Sequence, residues 1–184
     1  MHALAKGITL IELLCILSCS LIVLGIGAPA LDQFIERAHN KNIILKWQQL
    51  LQFSREQAIN YKKPVTLCPL NAALRCHMAW NDNITLFLDT NNNRQLDSNE
   101  RILFTQEGNT HSRALLSHNN SAISFNADGF SAFATGSLGY CFKKKQTIAA
   151  VFIIARTGRI RRGTDSNQDG IPETASGANV PCPS

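Results

Sequence analysis

Five residues near the carboxy terminus, Gly158-Arg159-Ile160-Arg161-Arg162, carry the clearest chemistry in this chain. Side chains alternate along an extended strand, so Arg159 and Arg161 share one side and Ile160 takes the other, where it can anchor the strand to a core. Two planar guanidinium forks presented together suit phosphate. Each donates bidentate hydrogen bonds to phosphate oxygens, and such contacts hold a nucleic-acid backbone without reading its sequence. Residues 141–163 carry seven basic side chains and no acidic one: Lys143, Lys144, Lys145, Arg156, Arg159, Arg161 and Arg162. These seven form the candidate DNA-binding set. On charge alone such a run reads as a solvated face; presentation on a hairpin and the lack of acidic neighbours add to the case for DNA.

The lysines fall in the turn between Phe142 and Thr147. A strand from Thr147 to Ala155 spans roughly 30 Å at about 3.3 Å per residue, so lysines and arginines begin at opposite ends of it and form no compact pocket. The returning Arg159–Arg162 segment shortens the gap to about 20 Å. One DNA segment of about six base pairs would lie across both groups.

A second chemical feature stands at the amino terminus. Glu12 is placed inside a nearly unbroken apolar run that reaches Leu31. A bilayer-spanning helix needs about 20 apolar residues, and a carboxylate within it costs roughly 3 kcal/mol or more unless paired, so Glu12 calls for a cationic partner. Before it, residues 1–7 are a short basic leader ending at Gly7. No small-residue cleavage site follows the apolar run, which argues against an ordinary secretory signal and for cleavage after Gly7.

Six cysteines divide by position. Cys15 and Cys19, four apart in the apolar run, share a helix face and read as buried thiols. Cys68, Cys76, Cys141 and Cys182 lie in the remainder, where an even number in a translocated domain indicates disulfides in an oxidising compartment. Four cysteines allow three pairings. Cys68 with Cys76 closes a local loop through Pro69, and Cys141 with Cys182 staples a polar tail; this is the expected pairing. Zinc is disfavoured because no Cys-x-x-Cys spacing occurs.

Two acidic loops raise calcium. In Asp89–Glu100 oxygen donors fall at positions one, three, five, nine and twelve of an EF-hand-like loop, but Arg94 stands where glycine is required. In Asp165–Gly170 the glycine is present and Ser176 stands where the bidentate glutamate belongs. Both are read as turn chemistry, with no metal and no cofactor. His39, His77, His111 and His118 are scattered without a partnered nucleophile or ligand spacing, so no active site assembles and the chain is not read as an enzyme. Phe125 and Phe130 flank the Asp128-Gly129 turn and read as core aromatics rather than base-stacking platforms, an option that an exposed Phe130 would reopen.

The elements that position these residues follow from periodicity. Of 184 residues, about 24 form the anchor, and the rest suits one domain. The formal charge of +5 falls to +4 on loss of the leader with Lys6. The predicted segments are a leader over 1–7, an apolar helical half over 8–31, an amphipathic half over 32–63, a β-rich domain over 64–163 and a loose tail over 164–184 held by Cys182. Ile44, Trp47, Leu51, Ser54, Ala58 and Tyr61, with Leu50, form the buried stripe of the helix, while Lys46, Gln49, Arg55 and Glu56 fall elsewhere. Pro29 is expected to kink it. Strands are predicted over 64–67, 84–88, 102–104, 122–125, 140–142 and 148–155, the last pairing with Arg159–Arg162 through a Thr157-Gly158 turn. One long helix packed on antiparallel sheets makes the class α+β.

Gly7, Thr9, Glu12 and the leader resemble the start of type IV prepilins. With Cys68-Pro69, the Asp89–Glu100 loop and Gly158-Arg159-Ile160-Arg161, the resemblance narrows to minor pilins of the FimT and GspH type, although Ile8 stands where the family usually has Phe. It implies cleavage after Gly7 by a prepilin peptidase and methylation of the new terminus at Ile8. It further implies that Glu12 neutralises the terminal amine of a neighbouring subunit. Localisation follows: inner membrane with a periplasmic domain, then a type IV pilus or its tip among other major and minor pilins. Among FimT relatives the Gly-Arg-x-Arg motif implies binding of incoming DNA in natural transformation. The alternatives are a GspH-like minor pseudopilin of a type II secretion system and a purely structural pilus-initiating subunit.

Overall fold

The computed structural model describes residues 9–108, 114–131, 135–142 and 147–182. Gly7, Ile8, Lys143, Lys144, Lys145 and His111 lie outside them. One helix, α1 (Leu10–Tyr61), precedes eight strands: β1 (Val65–Pro69), β2 (Ile84–Leu88), β3 (Ile102–Gln106), β4 (Ala114–His118), β5 (Ile123–Phe125), β6 (Gly136–Phe142), β7 (Thr147–Ile154) and β8 (Ile160–Arg162). The strands form two antiparallel sheets, ordered β3-β2-β1-β5 and β4-β6-β7-β8.

The helix starts with a cap written into the sequence. Thr9 offers its hydroxyl to the Glu12 amide at 3.3 Å and its carbonyl to the Leu13 amide at 3.1 Å. Thr9-Leu10-Ile11-Glu12 thus has capping-box spacing, with an acidic residue where the helix dipole favours it. Helical assignment continues through Pro29 and stops where Lys62 turns to a positive φ of 51° just before Pro64.

The chain divides into two compact units, Met1–Ile43 and Ile44–Ser184. In the first, Leu10, Ile11, Leu13, Leu14, Ile16, Leu17, Leu21 and Ile22 are all exposed, as are Cys15 and Cys19. Among the described residues no helix is long and apolar enough to cross a membrane.

In the second unit the predicted stripe is buried from Ile44 through Trp47, Leu50, Leu51, Ser54 and Ala58, but Tyr61 is exposed. There the guanidinium of Arg101 lies over the Tyr61 ring, 5.9 Å from its centroid. The first sheet is buried on both faces at its centre. Register pairs Leu67 with Leu86 and Ile123, and Val65 with Leu88 and Phe125, on one face. The opposite face carries Cys68 with Phe87 and Ala122, joined by Leu70, Cys76 and Leu96. The second sheet repeats this plan: Cys141, Val151, Ile153 and Val180 cluster, with Ile171 and Cys182 against them. Each small cluster holds one disulfide, Cys68–Cys76 and Cys141–Cys182, the pairing expected from sequence.

The tail is tied by more than its cysteine. Val180 and Glu173 are buried, and the Glu173 carboxylate accepts the amides of Ser166 at 2.9 Å and Asn167 at 3.3 Å. β4 was not among the predicted strands. Its sequence, Ala-Leu-Leu-Ser-His, shows no alternation and lacks the β-branched residues that mark a strand.

Candidate nucleic-acid interface

The arginines sit on the β7–β8 hairpin, and β8 is the outer strand of its sheet. Ile154 pairs with Ile160, Ile153 with Arg161 and Phe152 with Arg162. The turn needs Gly158: its φ is 74°, its amide donates to the Ala155 carbonyl at 2.8 Å, and the Ala155 amide donates to the Arg159 carbonyl at 3.0 Å. This is a three-residue loop closing on a left-handed glycine. With Ala155 facing Arg159 and Ile153 facing Arg161, alternation places Arg159 and Arg161 on one face, as the sequence predicts, and Arg162 on the other.

A second loop holds this turn from behind. Between β5 and β6, Asn126 accepts the Phe130 amide on its side chain at 2.8 Å and donates its own amide to the Phe130 carbonyl at 2.9 Å, with Gly129 at a φ of 77°. A Cβ on Gly158 would stand 1.8 Å from the Gly129 carbonyl oxygen. Arg55 of α1 donates from Nε to that oxygen at 3.0 Å, and the Ser131 amide donates to the Arg156 carbonyl at 3.0 Å. Arg55, which falls outside the apolar stripe as expected, is half-buried and binds the loop behind the arginines.

Arg156, Arg159, Arg161 and Arg162 are all exposed, and none makes an ion pair with another described residue. Arg156 and Arg161 also border a cleft of about 540 Å3 that Thr174, Asn179 and Val180 of the tail help to line. Two cations beside a cleft edged by hydroxyl and amide groups can receive an anionic, hydrogen-bonding ligand. The lysine half of the predicted set is outside the described residues.

Other predicted groups fall elsewhere. Phe125 is buried as expected, whereas Phe130 is 46% exposed. His118 is buried; its Nδ1 lies 3.1 Å from the Ser137 carbonyl oxygen and its ring meets Trp80 edge-on. Burial lowers its pKa to about 4, outweighing the Ser137 bond that raises it. In the first acidic loop Asp89 is buried and accepts the Thr66 hydroxyl and the amides of Asn93 and Arg94. Arg94 makes the turn with a φ of 59° where a calcium loop has glycine. In the second loop Asp165, Asp169 and Glu173 bring carboxylate oxygens within 4.8 Å of one another. Glu173, not Ser176, supplies the third acid, and sequence spacing missed it because the loop closes three residues earlier. These carboxylates accept amides of their own loop, including those of Asp169 and Gly170 on Asp165.

The family profile described as Type II transport protein GspH matches residues 45–158. The chain belongs to the GspH family. No curated protein matches it. Among solved structures it is similar to the type IV minor pilin FimU of Pseudomonas aeruginosa strain PAO1, at 17% identity and a TM-score of 0.51 over 70% of this chain and 90% of that one. A second crystal form of FimU gives 15% identity and a TM-score of 0.49, over 67% and 92%. The fold is thus that of a minor pilin. The match ends at Gly158, so Arg159, Arg161 and Arg162 lie outside the matched residues.

Proposed function

We propose that this chain is a minor type IV pilin that binds DNA non-sequence-specifically through the Gly158–Arg162 hairpin and takes part in DNA uptake for natural transformation. The observation that carries the reading is the exposure of four arginines, unpaired among the described residues, on and beside an outer strand whose turn is held rigidly by Gly129 and Arg55. The resemblance to FimT in Gly158, Arg159 and Arg161 supports it. The lysines at 143–145 would extend the same field along the strand.

Processing after Gly7, methylation of Ile8 and anchoring in the inner membrane belong to this proposal. The exposed leucines and isoleucines on every side of α1 up to Ile22 support it, because such a surface needs lipid or neighbouring subunits to cover it. Glu12 is exposed and makes no ion pair with a described residue, which suits pairing with a neighbour's terminal amine. Prepilin peptidase and other major and minor pilins are the partners that follow, and no catalytic role is proposed.

Full-length protein in non-ionic detergent should shift unrelated duplexes on a native gel at 50 mM salt, and Arg159→Gln with Arg161→Gln should abolish the shift. Four engaged phosphates give a salt slope of about 3.6, so affinity should fall on the order of 100-fold between 50 and 200 mM. Unchanged binding by the double variant refutes the site. The family match favours a second reading, a GspH-like pseudopilin, in which the same variant would leave DNA uptake intact and a chain deletion would block protein secretion.

A further inference from the structure

Among the described residues Phe130 is the exposed aromatic side chain on the loop that backs the arginine turn. It is 46% exposed, yet its backbone is fixed at both its amide and carbonyl by Asn126. Its neighbours on either side touch the hairpin: Gly129 through the carbonyl that packs on Gly158, and Ser131 through the amide that holds the Arg156 carbonyl. An aromatic ring is therefore held on a rigid turn, next to a loop carrying Arg156 and, two residues past Thr157, Arg159. The usual course for such a phenylalanine is burial, as at Phe125 three residues after Ala122.

We propose that Phe130 is a stacking platform for an unpaired base, making this edge of the domain a site for single-stranded DNA with Arg156 and Arg159 holding the flanking phosphates. The proposal rests on the DNA-binding reading above and names its substrate class. A base inside a duplex has both faces covered by its neighbours, and only an unstacked base offers a face to an external ring. Every base has such a face, so the contact adds affinity without sequence preference, matching a backbone-directed arginine pair. Because the turn is already ordered by the Asn126 bonds, little conformational freedom is lost when the base arrives.

The test is fluorescence anisotropy of full-length protein in non-ionic detergent at 50 mM salt, with three labelled probes: a twelve-residue oligothymidylate, an abasic strand of the same length, and a twelve-base-pair duplex. Oligothymidylate should bind about tenfold more tightly than the abasic strand, within the range that stacking one base on an aromatic side chain gives. Phe130→Leu, which keeps the apolar bulk, should erase that difference while leaving abasic-strand and duplex affinities unchanged, and Phe130→Trp should restore it. Equal binding of oligothymidylate and the abasic strand by wild-type protein overturns the stacking role, as does a Phe130→Leu variant that keeps the tenfold preference. Either result leaves DNA binding standing. Failure of wild-type protein to bind any probe removes the DNA-binding reading itself, and this proposal with it.

Discussion

Gly158 packs against the carbonyl oxygen of Gly129, so closely that a Cβ at position 158 would stand 1.8 Å from it. Two loops distant in sequence meet where neither has a side chain, and the arginine turn rests on that meeting. Alanine at 158 would force a residue with a Cβ into a φ of 74° and drive it into backbone that cannot move cheaply. Gly158→Ala should lose roughly 2–4 kcal/mol in urea unfolding, combining left-handed strain with overpacking. A loss under about 0.5 kcal/mol would show that the two loops do not bear on each other in solution.

Arg55 joins the same contact from the helix. Its Nε bond to Gly129 places a charged donor on the carbonyl of a buried glycine, and removing it leaves that oxygen without this partner. Arg55→Met, which keeps much of the aliphatic stem, should cost about 1–2 kcal/mol by urea denaturation. Arg55→Lys should not rescue it, since an ammonium on a flexible stem does not reproduce the guanidinium Nε geometry.

What the sequence revealed depends on how local each signal is. The β7–β8 hairpin was legible because Thr157-Gly158 follows an unbroken apolar segment, and the helix stripe because spacings of three and four persist from Ile44 to Ala58. The disulfide pairing followed from which loops each bridge would close. Arg55 and Gly129 were not legible as supports of the arginine turn: they lie 74 residues apart, and no local pattern brings the β5–β6 loop onto the helix. Glu173 was missed for a similar reason, since a buried carboxylate accepting amides six and seven residues earlier resembles ordinary tail composition until the loop folds back. The exposure of Phe130 also had no local sign, because Phe125 and Phe130 read alike as apolar aromatics beside one turn.

Acid should destabilise the domain through His118. Its pKa is about 4 in the fold against 6.5 for an unperturbed imidazole, so the unfolded chain takes up a proton that the folded chain does not. Stability is then full above pH 6.5 and falls as pH drops from 6.5 towards 4, by about 3 kcal/mol at about 1.4 kcal/mol per pH unit. Urea midpoints measured across that range should fall in wild-type protein and fall less in His118→Gln, whose amide does not titrate. Parallel curves for the two proteins would assign the acid sensitivity to other groups.

The two disulfides should differ in worth by the lengths of the loops they close. Cys68–Cys76 spans a separation of 8 residues and Cys141–Cys182 one of 41, which on the chain-entropy account correspond to roughly 2.5 and roughly 4 kcal/mol. Packing points the same way for the longer bridge, because Cys182 brings the tail to the cluster of Val151, Ile153 and Val180 and so covers one face of the second sheet. Replacing both cysteines of a pair with serine avoids leaving one reactive thiol. Cys141→Ser with Cys182→Ser should lower Tm by roughly 10 °C or more, and Cys68→Ser with Cys76→Ser by clearly less. The opposite ranking would mean that the tail's hold on the sheet lies in Val180 and the Glu173 loop, with the bridge adding little, and the cleft beside Arg161 would then survive reduction.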